Sequence, residues 1–193
     1  MASINHNKKF IFIHIPRTGG SSIMSQLKKD PSSLLYKRHF SLKKMLQIMR
    51  NQFDLNCENY FKFGFVRNPW DVFVTKYHAP VYKNINSISG KSFLFFLQNY
   101  HPIHSENNHF YEYFLPEEVD FVGRFENREK DLNYISKKIN IPIDPKFSIK
   151  AKEMQRKLPV KKHYTEYYND ETREIVAERC VKDIEYFGYE FGD

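Results

Sequence analysis

A disulfide framework is the first architecture this sequence excludes, because its two cysteines, Cys57 and Cys180, lie far apart in a chain of 193 residues. Small secreted scaffolds that depend on disulfides carry many more. Both thiols read as filler in a reducing compartment, Cys180 within an apolar stripe of Ile175, Val176, Cys180, Ile184 and Phe187 on the last helix. No apolar run approaches the ~20 residues of a membrane span. Met1 to Lys9 is polar and leads into a short apolar strand, unlike a secretory leader, so a cytoplasmic location is expected. Internal repeats and low-complexity segments are also absent. So is the nucleotide-triphosphatase loop GxxxxGK[ST]: Gly90-Lys91-Ser92 has Ile85 where the first glycine should stand, and no apolar strand precedes it.

What is present is aromatic and basic. Eighteen Phe and thirteen Tyr supply core and stacking surface, and a formal charge of +7 suits a polyanionic ligand. The same charge would suit nucleic acid. Lys and Arg are scattered along the whole length, however, without a basic helix or a known DNA- or RNA-binding motif, so no specific nucleic-acid partner is expected.

Residues 10 to 22, Phe-Ile-Phe-Ile-His-Ile-Pro-Arg-Thr-Gly-Gly-Ser-Ser, are the most informative stretch. An apolar strand runs into a basic turn and then a helix start, an arrangement that holds phosphate or sulfate. Gly19 and Gly20 let the backbone approach an anion, the helix N–H groups point at it, and Arg17 adds a positive charge. Ser21 and Ser22 suit an N-cap, and Ile23, Met24 and Leu27 give the helix an apolar face. Plain α/β scaffolding would produce the same pattern without a ligand.

A second basic turn follows a second strand. Phe61 to Val66 ends in Arg67-Asn68-Pro69-Trp70-Asp71, where Pro69 starts a helix, Arg67 stands at the carboxyl end of the strand, and Thr75 lies two turns on. The bland alternatives are a surface salt bridge for Arg67 and an ordinary helical residue for Thr75.

These segments resemble the sulfotransferases that use 3′-phosphoadenosine 5′-phosphosulfate (PAPS), in particular the branch of the heparan and uronyl 2-O-sulfotransferases and their bacterial relatives. Ile15 to Ser22 is similar to the family's 5′-phosphosulfate loop. Val66 to Thr75 is similar to its 3′-phosphate motif, in which an arginine and a hydroxyl residue eight positions later grip the phosphate. Val122-Gly123-Arg124-Phe125-Glu126-Asn127 and the closing Asp183 to Phe191 resemble further family signatures, and the likeness runs over nearly the whole chain. Arg17 replaces the usual lysine and Thr75 the usual serine, both with the chemistry kept. Met154 to His163 departs from the family's cofactor loop, so no adenine contact is assigned there; Lys161 and Lys162 read as a solvated basic loop.

The resemblance implies an α/β, P-loop-like three-layer fold, one domain over 1–193 with a central parallel β-sheet flanked by helices. Alternating strands and helices with basic turns at strand ends agree. The expected order is strand 9–15, helices 21–29 and 42–52, strand 61–66, helices 70–82 and 92–100, strand 119–123, and helices 127–139 and 170–187. It also implies a PAPS-dependent sulfotransferase acting on a hydroxyl, expected on a glycan or other carbohydrate. Arg17, Thr18, Gly19, Gly20, Ser21 and Ser22 would bind the 5′ end, Arg67 and Thr75 the 3′-phosphate, and Arg17 would also act on the leaving phosphate.

For the base that accepts the acceptor's proton, His39 is favoured, since relatives place a histidine in a similar stretch between the two motifs and imidazole suits the role. Its bland reading is a residue before a helix capped by Ser41. His14, on a strand face with Phe10 and Phe12, reads as a core histidine, and Glu126 as the cap of the helix that follows it. His101 to His109 holds three histidines, but spacing alone is weak support for a metal, and none is expected. Two other classes stay open at this level: a catalytically silent nucleotide- or glycan-binding protein of the same fold, and a basic nucleic-acid-binding domain.

Overall fold

The computed structural model describes residues 2–36, 39–79, 90–101, 109–114, 119–146 and 162–193. Lys161, the end of the expected helix 70–82, most of the histidine loop and most of 154–163 lie outside the described residues.

Among the described residues, five strands form one sheet in the order β3-β1-β2-β4-β5: β1 is Ala2–Asn5, β2 Phe10–Ile13, β3 Ser33–Tyr36, β4 Phe61–Val66 and β5 Phe121–Arg124. β2, β4 and β5 run parallel. β1 pairs antiparallel with both β2 and β3, so the expected central parallel strands carry an antiparallel edge. The polar stretch Met1 to Lys9 contributes β1. Ser3 and Asn5 are polar and still fully buried. The Asn5 amide donates to Asp30 Oδ1 and Ser33 Oγ, both at 3.1 Å, and its Oδ1 accepts from Lys8 N–H at 2.8 Å. A buried amide satisfied on both ends takes a place that hydropathy assigns to an apolar residue.

The helices are α1 (Gly20–Leu27), α2 (Leu42–Phe53), α3 (Pro69–Tyr77), α4 (Phe93–Asn99), α5 (Arg128–Ile139), α6 (Asp170–Arg179) and α7 (Val181–Phe187). Alternation along β2 divides the interior in two. Phe10 and Phe12, with Phe63 and Phe65 of β4, pack against Ile23, Met24 and Leu27 of α1 and Leu132, Ile135 and Ile139 of α5. Ile11 and Ile13 face the opposite way, toward Leu42, Met45 and Met49 of α2, Val72 and Phe73 of α3, and Val176 and Phe187 near the chain's end. This makes three layers: helices, sheet, helices.

The expected helix 170–187 is two helices meeting at Cys180, which takes φ −110° and ψ 18°. Hydrogen bonding continues through the joint, from Cys180 N–H to the Val176 carbonyl and from Ile184 N–H to the Cys180 carbonyl, both at 2.9 Å, so the chain bends without losing its ladder. Asp183 is then buried, and its carboxylate accepts from the N–H groups of Phe110 at 2.9 Å and Tyr111 at 3.0 Å.

Candidate active site

The parallel strands β2, β4 and β5 are neighbours and end on the same side of the sheet, so the turns that leave them converge. The first turn, after β2, carries Arg17 with a left-handed φ of 69°, a conformation a non-glycine residue adopts only when its surroundings impose it. Gly19, at φ 80°, is the N-cap of α1, in place of the expected Ser21 or Ser22. Ser21 and Ser22 lie in the first helical turn, and the Ser22 N–H closes onto the Gly19 carbonyl at 3.1 Å. Gly20 and Ser21 occupy the first two helical positions, whose N–H groups an α-helix leaves without internal acceptors. Thr18 is buried and its hydroxyl donates to the Ile15 carbonyl at 3.0 Å, so Thr18 offers a ligand its N–H and not its hydroxyl hydrogen.

The two glycines have a further reason to be glycine. A Cβ on Gly20 would come within 2.1 Å of the His14 ring, and one on Gly19 within 2.8 Å of the Arg128 guanidinium and 3.0 Å of the Phe125 ring. Three side chains thus press against this turn. His14 is buried, stacks on Phe12 and meets the His39 ring edge-on at a centroid distance of 4.9 Å. His39 Nδ1 lies 2.9 Å from the His14 carbonyl oxygen. A carbonyl can only accept, so Nδ1 carries a hydrogen, and in the neutral form of the ring the lone pair is on Nε2. His39 therefore reaches the turn after β2 through His14, while Ser41, two residues on, caps α2 by accepting from Lys44 N–H.

The second turn, after β4, presents Arg67. Its Nε and Nη2 both contact Asp71 Oδ2, at 2.7 and 2.5 Å, and its Nη1 donates to the Arg17 carbonyl at 3.3 Å. The guanidinium also lies over the Phe125 ring, 4.0 Å from its centroid. Thr75 is half-buried, one helical turn beyond Asp71 and on the same face of α3. The structure thus brings Arg17, Gly19, Gly20, Arg67 and His39 into one connected set. Thr75 is joined to it only by its place on the Asp71 face.

The third turn, after β5, carries Glu126, expected to cap the helix that follows it. Glu126 does not cap its own helix, however. Its Oε1 accepts from the N–H of Asn68, the N-cap of α3, at 2.6 Å, and its Oε2 from the Tyr189 hydroxyl at 3.3 Å. Burial and the Glu126 charge push the Tyr189 phenol well above its ordinary range, which keeps it a donor. Asn68 in turn donates to the Glu190 carbonyl at 2.8 Å, and Arg124 reaches the Phe187 carbonyl.

Sequence reasoning missed Phe125 and Arg128. Phe125 stands within the Val122 to Asn127 segment, and Arg128 sits among the charges that open α5. Arg128 donates from Nε to the Pro145 carbonyl at 3.0 Å; burial lowers its pKa from the usual value, and Asp144 opposes that fall. A bulky aromatic directly after a strand, with an arginine three residues later, was the available signal.

Among the described residues no group of three or more His, Cys, Asp or Glu side chains is arranged to hold a metal ion. His109, from the histidine loop, lies 3.7 Å from Asp183. No helix among the described residues is long and apolar enough to cross a membrane.

No curated protein and no solved structure matches the chain. A family model does, the sulfotransferase family, over residues 1–190. With nearly every residue inside that match, and a mixed α/β sheet whose parallel strands all end in these turns, the chain belongs to the sulfotransferase family and is a sulfuryl-transferring enzyme.

Proposed function

We propose that the chain transfers a sulfuryl group from PAPS to a hydroxyl of a carbohydrate in the cytoplasm, with the turn at Arg17 to Ser22 receiving the 5′-phosphosulfate and Arg67 with Thr75 the 3′-phosphate. The observation that carries this reading is the contact between the two turns, Arg67 Nη1 to the Arg17 carbonyl, since one ligand with two separated anionic groups requires both at once. The donor set fits such a ligand. Among the described residues, three of the five Arg67 N–H donors are used by Asp71 and Arg17, which leaves one on each terminal nitrogen for a phosphate oxygen. The first turn of α1 adds N–H groups and Arg17 a full charge.

PAPS, when bound, supplies the sulfuryl group and a phosphate leaving group. The residues of the chain would do the rest. His39 Nε2 takes the proton from the acceptor hydroxyl as its oxygen bonds to sulfur and the bond from sulfur to the 5′-phosphate oxygen breaks. Arg17 and the N–H groups of the turn balance the charge that collects on that leaving oxygen. Positioning and electrostatics carry the work, as in phosphoryl transfer. A positively charged protein suits an acidic acceptor such as a uronate-bearing polysaccharide.

Incubation with sulfur-labelled PAPS and a panel of glycans, with simple alcohols and phenols as controls, tests this directly. Label should move to glycan. Transfer only to phenols would refute the carbohydrate assignment. Failure of adenosine 3′,5′-bisphosphate to raise the melting temperature more than AMP would refute the donor.

A further inference from the structure

We infer that Asp71 is the positioning residue of this site: it aims Arg67 at the ligand and, through Arg67, braces the backbone of the anion turn. The inference rests on the proposed role of Arg67 as the 3′-phosphate cation. Asp71 stands at the third helical position of α3, and one carboxylate oxygen receives both Nε and Nη2 of Arg67. That pair takes one edge of the guanidinium. The Phe125 ring covers a face of it, 4.0 Å away, and the Arg17 carbonyl takes one hydrogen of Nη1. An arginine held on an edge, a face and a third donor has little rotamer freedom left to lose when a phosphate arrives, so the ligand meets a donor pair already oriented.

The same arrangement reaches Arg17. Its left-handed backbone is a conformation that a side chain disfavours, and the Arg67 Nη1 contact is a bond that holds its carbonyl in place. Without Asp71 the guanidinium can swing off that carbonyl, and both ends of the site loosen together.

An acidic residue in a first helical turn also favours the helix dipole, so a change in melting temperature would not distinguish the two roles. A double-mutant cycle does. Titration calorimetry with adenosine 3′,5′-bisphosphate and with AMP is carried out on wild type, Asp71→Asn, Arg67→Gln and the double variant. Asp71→Asn should weaken the bisphosphate about tenfold, an energy within the range of contacting pairs, and AMP by a smaller factor. In the Arg67→Gln background the same change should do nothing further. Equal losses in both backgrounds would reduce Asp71 to a helix-end charge, and tighter bisphosphate binding would make it a competitor of the phosphate; either result overturns the inference. Should Asp71→Asn not fold, Asp71→Glu, which keeps the charge one methylene further out, completes the cycle with the same criteria. A wild-type protein that binds AMP as tightly as the bisphosphate would instead defeat the PAPS reading and leave the aiming of Arg67 to be judged by its coupling energy with AMP.

Discussion

The turn after β2 and the turn after β4 each put an arginine at the end of a parallel strand, but they hold it differently. Arg17 is constrained in its backbone, at φ 69°, while among the described residues its guanidinium makes no hydrogen bond or ion pair. Arg67 is constrained in its side chain, by Asp71, Phe125 and the Arg17 carbonyl. A cation that must follow charge as it develops on a leaving oxygen gains from a side chain able to adjust. A cation that grips a phosphate unchanged by the reaction gains from rigidity. The first turn is expected to govern turnover and the second affinity.

The largest effect should come from His39, the proposed base. His39→Ala is expected to lower kcat by about 10² to 10⁴ with bisphosphate affinity nearly unchanged, read by steady-state kinetics beside calorimetry. Only neutral imidazole accepts a proton, so the wild-type rate should fall as acid protonates His39, and the variant should lose that limb. Near-normal turnover in the variant would remove His39 from the chemistry.

Next in size is the affinity side. Arg67→Ala should cost about 1.5 to 3 kcal/mol of bisphosphate binding, because a charge-assisted contact is lost. AMP should also weaken, by less, since the variant frees the Arg17 carbonyl. Equal losses for the two ligands would erase the distinction between the turns. Thr75→Val is a smaller version of the same test, about 0.5 to 1.5 kcal/mol against the bisphosphate and nothing against AMP.

The smallest expected effect is none. In the proposed mechanism arginines and backbone N–H groups do the work of a cation, so exhaustive chelation should leave the rate unchanged in a radiolabel assay. Activity lost to EDTA and restored by one divalent ion would bring the histidine loop into the site.

Both turns were legible in the sequence because each joins a strongly apolar strand to a patterned helix, and helix starts and strand ends are where local chemistry dominates. The sheet's antiparallel edge was not legible. β1 buries Ser3 and Asn5, and β3 exposes Leu34 and Leu35, so both invert the hydropathy that marks a strand. Tertiary hydrogen bonds from Asn5, reaching residues 25 and 28 positions away, decide the matter, and no local window contains them. The site's third wall was equally hidden. Phe125 and Arg128 acquire meaning only from their approach to Gly19, more than 100 residues earlier in the chain.

The imidazole of His14 fills the space that Gly20 leaves vacant, and its ring edge and carbonyl both meet His39. The turn proposed to receive the donor and the histidine proposed as base therefore meet at one residue. If donor binding shifts the turn, the shift would reach His39, and its alignment would follow occupancy of the turn. The expected kinetics are then ordered, donor before acceptor.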